Sequence, residues 1–151
     1  MKVKKAPDPE VLLKRMAGLC AKSEQCTSDI NTKLYKAGLP KEKRDEIIAY
    51  LTDNRYIDDA RFARAFANYK VRFSGWGKRK ICMALAAKRI PSVLITAAID
   101  NIDDREYLKA ASRVAEAKKR ELNMNTSEDK AKFYRQMLQR GFESDIIQHL
   151  L

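Results

Sequence analysis

Apolar and polar positions along the chain repeat one pattern three times. In each copy an apolar helical stretch runs into a short turn, and a second apolar helical stretch follows. The three turns lie within residues 34–40, 85–91 and 137–143. Gly38 and Gly141 suit the left-handed position that ends a helix, which Arg89 occupies in the middle copy. Pro40 and Pro91 suit the first turn of the next helix. The pattern predicts three pairs of helices, spaced roughly 50 residues apart.

A second motif marks where helices begin. The tripeptide Ile-Asp-Asp occurs at residues 57–59 and again at 102–104. The first Asp of each copy can accept hydrogen bonds from the free N–H groups of a helix, and the second lies at the positive end of the helix dipole. Asp8 has the same role in front of the first helix, and Thr126 or Ser127 in front of a later one. Each unit therefore gains one further helix.

Together the two motifs predict an all-α protein of three tandem three-helix repeats that form an elongated, curved array. Residues 1–7 are assigned to a flexible basic tail, and the repeats to residues 8–56, 57–101 and 102–151. The composition agrees, since Ala, Leu, Lys, Arg and Glu are abundant, whereas five Gly and four Pro leave few turns for an all-β fold.

The composition also limits the environment of the protein. The chain has 34% charged and 45% hydrophobic residues, which is typical of a folded, soluble protein. Its longest apolar stretch, around residues 93–99, is too short to cross a bilayer, and no export signal is visible, so no membrane contact is expected. Cys20, Cys26 and Cys82 have no framework spacing and indicate reduced thiols. We expect a cytoplasmic protein and, since the outer repeats are uneven, a monomer.

Charge is concentrated in the middle repeat. The net charge of +11 divides into +4 for residues 1–56, +6 for 57–101 and +1 for 102–151. Between Ala60 and Ile99 the chain has nine Lys and Arg and no Asp or Glu. A surface that serves solubility alone mixes both signs, so a window of one sign is expected to attract phosphates or acidic protein. The middle repeat is therefore the expected functional part.

The first helix of the middle repeat, residues 58–73, has two distinct faces. One face gathers aromatic side chains and is predicted to be core. Its members are Phe62, Phe66, Tyr69 and Phe73. Another face gathers Arg61, Arg64, Asn68 and Arg72. No acid at i±4 balances these arginines, which favours a binding face, although an ordinary solvated surface remains the alternative.

The next helix is predicted to start with three cations. Gly77 can serve as its N-cap, and the first turn then holds Lys78, Arg79 and Lys80. Cations at this end oppose the helix dipole, which suggests a function for them. With free backbone N–H groups they would form an anion site for a phosphate or an acidic side chain, the alternative being an indifferent solvated turn. Trp76 is expected to pack on Ile81 rather than to stack on a nucleic-acid base.

No catalytic group of residues emerges from the sequence. His149 is the single histidine, so a Cys–His or Ser–His pair would require it, and nothing near it suggests a site. The cysteines lack metal-ligand spacing, and N-capping explains the paired aspartates better than metal binding does. We therefore expect no enzymatic activity, no cofactor and no metal site.

Three segments of the middle repeat carry a family resemblance. They are Tyr-Ile-Asp-Asp-Ala-Arg-Phe-Ala-Arg at 56–64, Gly-Trp-Gly-Lys-Arg-Lys-Ile at 75–81, and the stretch from Leu85 through the turn at Arg89 and Ile90. In order and approximate spacing they resemble the RecX family, regulators of the RecA recombinase. Length and the three-unit layout agree. Arg55 and Lys78 depart from the family pattern, which often has Gly and Pro at these positions.

The resemblance implies a non-enzymatic inhibitor that lies in the groove of the RecA filament on single-stranded DNA. Such proteins restrain filament growth, ATP hydrolysis and co-protease activity. The expected partners are the RecA filament and single-stranded DNA, which is contacted directly or through the filament. The expected contact residues are Arg61, Arg64, Arg72, Lys78, Arg79 and Lys80. Two alternatives remain open, a sequence-independent nucleic-acid-binding module that acts without RecA and a helical scaffold for another acidic protein.

Overall fold

The computed structural model describes residues 7–151, and this part of the chain contains nine α-helices and no strand. The helices are α1 (Pro9–Lys22), α2 (Thr27–Lys36), α3 (Lys41–Asp53), α4 (Asp59–Tyr69), α5 (Lys78–Ala87), α6 (Ser92–Asp100), α7 (Asp104–Arg120), α8 (Ser127–Gln139) and α9 (Ser144–Leu150). A π-helical segment, Lys70–Ser74, continues α4. The arrangement confirms the predicted all-α fold of three-helix repeats. Apart from Pro7, the predicted tail at residues 1–7 lies outside the described residues.

Each repeat begins at a capped helix. The side chains of Asp8, Asp58 and Asp103 accept hydrogen bonds from backbone N–H groups two or three residues later, at 2.9–3.2 Å. Thr126 caps α8 in the same way, with its hydroxyl 3.2 Å from the N–H of Asp129. A cap of this kind stabilises a helix by about 1 kcal/mol. The caps predicted from the repeated Asp motif are therefore confirmed.

The second and third repeats share one hydrophobic core, whereas most of the first repeat packs in a second core. Cys26 of the first repeat belongs to the shared core, and Ile57 of the second repeat belongs to the other. The shared core brings together Phe62 and Ile81 of the second repeat with Phe133 and Phe142 of the third, all four of them buried. Because apolar side chains of both repeats form this one cluster, neither repeat alone buries its apolar surface. The second repeat, which carries most of the positive charge, is therefore packed firmly against the third.

The first repeat joins the second through the buried Cys26 and Ile57 and through polar contacts. The carboxylate of Asp59 accepts a hydrogen bond from the backbone N–H of Thr27 at 2.8 Å. The ammonium group of Lys88 lies 2.8 Å from the carboxylate of Asp29. Half-exposed contacts of this kind contribute modestly to stability but fix the orientation of the partners.

The predicted aromatic core of the middle repeat was only half right. Phe62 is buried and Phe66 is partly buried, but Tyr69 and Phe73 expose 57% and 73% of their surface. Tyr69 is the last residue of α4 and is exposed before the π-helical segment begins. The wider turn of that segment changes the direction of the side chains that follow, which accounts for the exposure of Phe73. Val71 takes the inward position instead and is buried. The prediction that Tyr69 and Phe73 form core was therefore wrong.

Two arginines hold the left-handed backbone conformation that glycine adopts easily. At the equivalent turns of the three repeats, φ is 89° at Gly38, 59° at Arg89 and 95° at Gly141. Arg55, two residues after the last residue of α3, also has φ of 59°. A side chain with a Cβ atom is strained in this region because the Cβ approaches the following carbonyl oxygen.

Replacing Arg89 by glycine is expected to raise the free energy of unfolding by about 1 kcal/mol, because relief of strain exceeds the extra entropy of glycine in the unfolded chain. Arg55→Gly should act in the same direction. The matched control is Arg15→Gly, at an exposed position inside α1, which should lower stability by about 1 kcal/mol. Urea unfolding followed by circular dichroism measures all three. Equal losses at Arg89 and Arg15 would contradict the strain argument.

Candidate binding surface of the middle repeat

Backbone N–H groups at the N-terminus of α5 donate hydrogen bonds to the third repeat. The backbone N–H groups of Gly77 and Arg79 donate to carbonyls of the turn between α8 and α9, at 2.7 and 3.0 Å. The N–H of Lys78 donates to the hydroxyl of Tyr107 at 2.9 Å. Because these groups already have partners, they are not free to bind an anion. The predicted anion site built on free N–H groups was wrong in this respect.

Two glycines allow this close approach. A Cβ atom on Gly77 would lie 2.2–2.3 Å from the backbone of Gly141 and the nitrogen of Phe142. A Cβ atom on Gly141 would lie 2.5 Å from the backbone nitrogen and the Cβ of Lys80. Contacts this short do not occur between real atoms, so both positions require glycine while the two backbones touch. Gly77 of the motif at 75–81 thus serves contact with the third repeat, which the sequence reasoning missed.

Tyr107 links the cationic turn, defined as Lys78, Arg79 and Lys80, to an acid of the third repeat. Its hydroxyl accepts from the N–H of Lys78 and donates to the carboxylate of Glu143 at 2.7 Å. Burial raises the pKa of Tyr107, and the carboxylate of Glu143 raises this pKa further. The hydroxyl therefore remains a donor at neutral pH. The ammonium group of Lys78 lies 4.6 Å from the centre of the Tyr107 ring, a favourable cation–π distance.

Trp76 is covered by cations. The ammonium groups of Lys70 and Lys80 each lie 4.4 Å from the centre of its ring. Trp76 also meets Phe66 edge-on and packs, partly buried, against the core cluster that contains Ile81. These contacts agree with the expected packing role and occupy space over the ring that a stacked base would need.

The predicted arginines differ in their surroundings. Arg61 forms an ion pair within the protein, since its Nε lies 2.6 Å from the carboxylate of Glu24 in the first repeat. The hydrogen bond that Arg61 donates to the carboxylate of Glu24 raises the pKa of Arg61. Arg61 thus joins two repeats, and a search for acids at i±4 could not find a partner 37 residues away. Arg72 lies 3.8 Å from Glu106, an exposed and therefore weak pair. Arg64 is exposed and has no ion pair within residues 7–151.

Sequence models of the RecX family match the two repeats that meet at this surface. The model of the second three-helix domain of RecX matches residues 58–99, and that of the third matches residues 104–151. The regulatory protein RecX of Pectobacterium atrosepticum is 31% identical over 137 residues, which is 91% of this chain and 82% of that protein. This chain belongs to the RecX family. The resemblance carried by residues 56–64 and 75–81 is thereby confirmed.

Other RecX proteins are longer than the region they share with this chain. The RecX of Yersinia enterocolitica is 33% identical over 106 residues, which is 70% of this chain and 62% of that protein. The RecX of Lactobacillus johnsonii is 25% identical over 146 residues, which is 96% of this chain and 54% of that protein. The chain therefore spans less than two thirds of the length of these two relatives.

Two solved RecX structures share the fold. The crystal structure of RecX from Lactobacillus salivarius superposes with a TM-score of 0.80 at 19% identity, over 94% of this chain and 93% of that one. A second crystal structure, of a regulatory protein RecX, gives a TM-score of 0.82 at 21% identity, over 94% of this chain and 70% of that one. The arrangement of three-helix repeats is thus a property of RecX proteins.

Beside the cationic turn lies a groove, called here the α5–α8 groove, between α5 and the C-terminal end of α8. Its volume is about 660 Å³. It is lined by Trp76, Arg79, Lys80, Met83, Ala84, Leu138, Gln139 and Gly141. Sequence reasoning missed this groove, because its two walls come from different repeats and no local pattern links Met83 to Leu138.

The cysteines and the histidine lie apart in the structure, in different surroundings. Burial raises the pKa of the thiols of Cys20, Cys26 and Cys82, so each is a poor nucleophile at neutral pH. His149 is exposed at the end of α9. Across residues 7–151, no three His, Cys, Asp or Glu side chains converge into a possible metal site. In the same part of the chain, every helix is too short or too polar to cross a bilayer.

Proposed function

We propose that this protein is a non-enzymatic regulator that binds the RecA filament on single-stranded DNA. By binding, it inhibits filament growth, ATP hydrolysis and co-protease activity. The observation that carries the proposal is that the family models match the second and third repeats, which meet at the cationic turn. The proposal includes a cytoplasmic location and a monomeric state.

The charge of the middle repeat supports this proposal. A net charge of +6 over residues 57–101 produces a field that attracts a filament of phosphates and acidic side chains. Arg64, Arg72 and the cationic turn remain the proposed contact residues. Arg61 holds Glu24 of the first repeat, so we assign it to positioning the repeats rather than to contact with the partner.

Titration of this protein into RecA that hydrolyses ATP on single-stranded DNA is expected to lower the ATPase rate in a saturable manner. Inhibition should follow from occupation of the filament, because the chain assembles no catalytic group of its own among the described residues. The rate of ATP hydrolysis at fixed RecA and DNA is the measurement. An unchanged rate at saturating protein would overturn the proposal.

The same titration must separate filament binding from simple binding of DNA. Binding to single-stranded DNA alone should weaken by about 0.7 log units per log unit of salt for each phosphate contact. In a control, a single-strand-binding protein that coats the DNA to the same occupancy replaces this protein, and the RecA ATPase rate is measured again. Should this protein bind DNA steeply with salt and leave RecA untouched in the absence of DNA, the nucleic-acid-binding alternative would hold instead.

A further inference from the structure

The α5–α8 groove has an exposed apolar floor. Met83 exposes 74% of its surface and Leu138 exposes 36%. Single exposed apolar residues are common on proteins, but here one from the second repeat and one from the third line the same groove. The groove is open to solvent, and its volume of about 660 Å³ is large enough to receive an apolar side chain. The groove is thus suited to an apolar group.

The rim of the groove is positively charged. Arg79 and Lys80 line it, and no Asp or Glu is among the lining residues. Neither cation has a carboxylate partner anywhere in residues 7–151. An occupant that complements this surface must therefore carry acids beside its apolar group.

Three observations favour a protein segment over nucleic acid in this groove. The N–H groups of Gly77, Lys78 and Arg79 donate to the chain itself, so these three offer nothing to a phosphate. The ring of Trp76 lies under the ammonium groups of Lys70 and Lys80, which leaves little room for a stacked base. A sugar-phosphate chain also gains nothing from a floor made of Met83 and Leu138.

We propose that the α5–α8 groove binds an acidic segment of a partner protein. One apolar side chain of that segment packs on Met83 and Leu138, while its carboxylates meet Arg79 and Lys80. The biological setting rests on the proposed regulatory function, since the partner belongs to the regulated assembly. The chemistry of the groove is independent of that function and can be tested alone.

Trp76 is the single tryptophan of the chain and lies in the groove wall, so its fluorescence reports occupancy. The probe is a short synthetic peptide of Asp and Glu around one Phe. It is expected to shift the emission of Trp76 in a saturable manner. A peptide in which Ser replaces the Phe should bind about tenfold more weakly, because the apolar contact is lost. A thymidine oligonucleotide should not compete with the Phe peptide.

Variants of the groove floor provide the second readout. Met83→Glu and Leu138→Glu should each weaken binding of the Phe peptide about tenfold, because they place a like charge beside its acids. The matched control is Val93→Glu on α6, since Val93 exposes 71% of its surface and lies outside the groove. This control should bind as the unchanged protein does. Circular dichroism verifies that all three fold.

Several results would overturn the assignment of the groove. They are equal affinity for the Phe and Ser peptides, equal affinity of the Met83→Glu and Val93→Glu variants, and displacement of the peptide by the oligonucleotide. A dimer of this protein that Met83→Glu dissociates would assign the groove to a second copy. Peptide binding together with an unchanged RecA ATPase would support the groove while it refutes the proposed function.

Discussion

Replacing Gly141 by alanine is expected to lower the free energy of unfolding by about 3 kcal/mol. The backbone of Gly141 has φ of 95°, where a side chain is strained, and the new Cβ would lie 2.5 Å from the backbone nitrogen of Lys80. Relief requires the turn between α8 and α9 to move away from α5. That movement breaks the hydrogen bonds donated by the N–H groups of Gly77 and Arg79. Urea unfolding followed by circular dichroism measures the loss.

The chain offers a matched control for this substitution. A Cβ atom on Gly18, inside α1, would have no neighbour within 4 Å, so Gly18→Ala should raise stability by about 1 kcal/mol. Gly77→Ala should resemble Gly141→Ala, and the double variant should lose little more than either alone, because both break the same contact. Full additivity of the two losses would show that the glycines serve separate contacts, contrary to the geometry.

The fold could be predicted because its signals are local. The caps at Asp8, Asp58 and Asp103 depend on residues two or three positions away, and the turn at Gly141 depends on one backbone angle. Such signals repeat with each unit, so the repetition of the motif strengthens each assignment. The left-handed Arg89 shows the limit of the signal, since the turn formed there without its glycine.

The candidate surface could be predicted only in outline, because its decisive contacts join distant parts of the chain. The charge of the middle repeat is visible in sequence, but the closure of α5 depends on Tyr107 and Gly141, which belong to the third repeat. Likewise, Arg61 of the second repeat forms an ion pair with Glu24 of the first. The π-helical segment that contains the exposed Phe73 packs against α7 of the third repeat, and no local periodic pattern reveals it.

The cationic turn remains unusual even though the N–H groups of Lys78 and Arg79 have hydrogen-bond partners. Cations in a first helical turn oppose the helix dipole, although here the dipole end is partly compensated by the carbonyls of the turn between α8 and α9. Lys78 and Lys80 gain cation–π contacts with Tyr107 and Trp76. Arg79 is exposed and gains no such contact, so its charge is the one most available to a partner.

Reversing all three charges of the cationic turn, by Lys78→Glu, Arg79→Glu and Lys80→Glu together, is expected to raise the concentration needed for half-inhibition of the RecA ATPase at least about tenfold. Attraction to an acidic partner becomes repulsion, which slows association and weakens the complex. The fold should survive, because glutamates suit a first helical turn and offset the lost cation–π contacts. Circular dichroism verifies the helix content, and the ATPase titration gives the inhibition.

A variant with the same change of net charge separates the position of the charges from their number. Lys14→Glu, Arg15→Glu and Lys22→Glu together reverse three exposed cations on α1, far along the chain from the cationic turn. We expect this variant to inhibit nearly as well as the unchanged protein, and the gap between the two variants to narrow at high salt, where exposed charges are screened. Equal loss of inhibition in both would mean that overall charge, and not the cationic turn, governs binding. Unchanged inhibition by a folded variant of the cationic turn would remove Lys78, Arg79 and Lys80 from the binding surface.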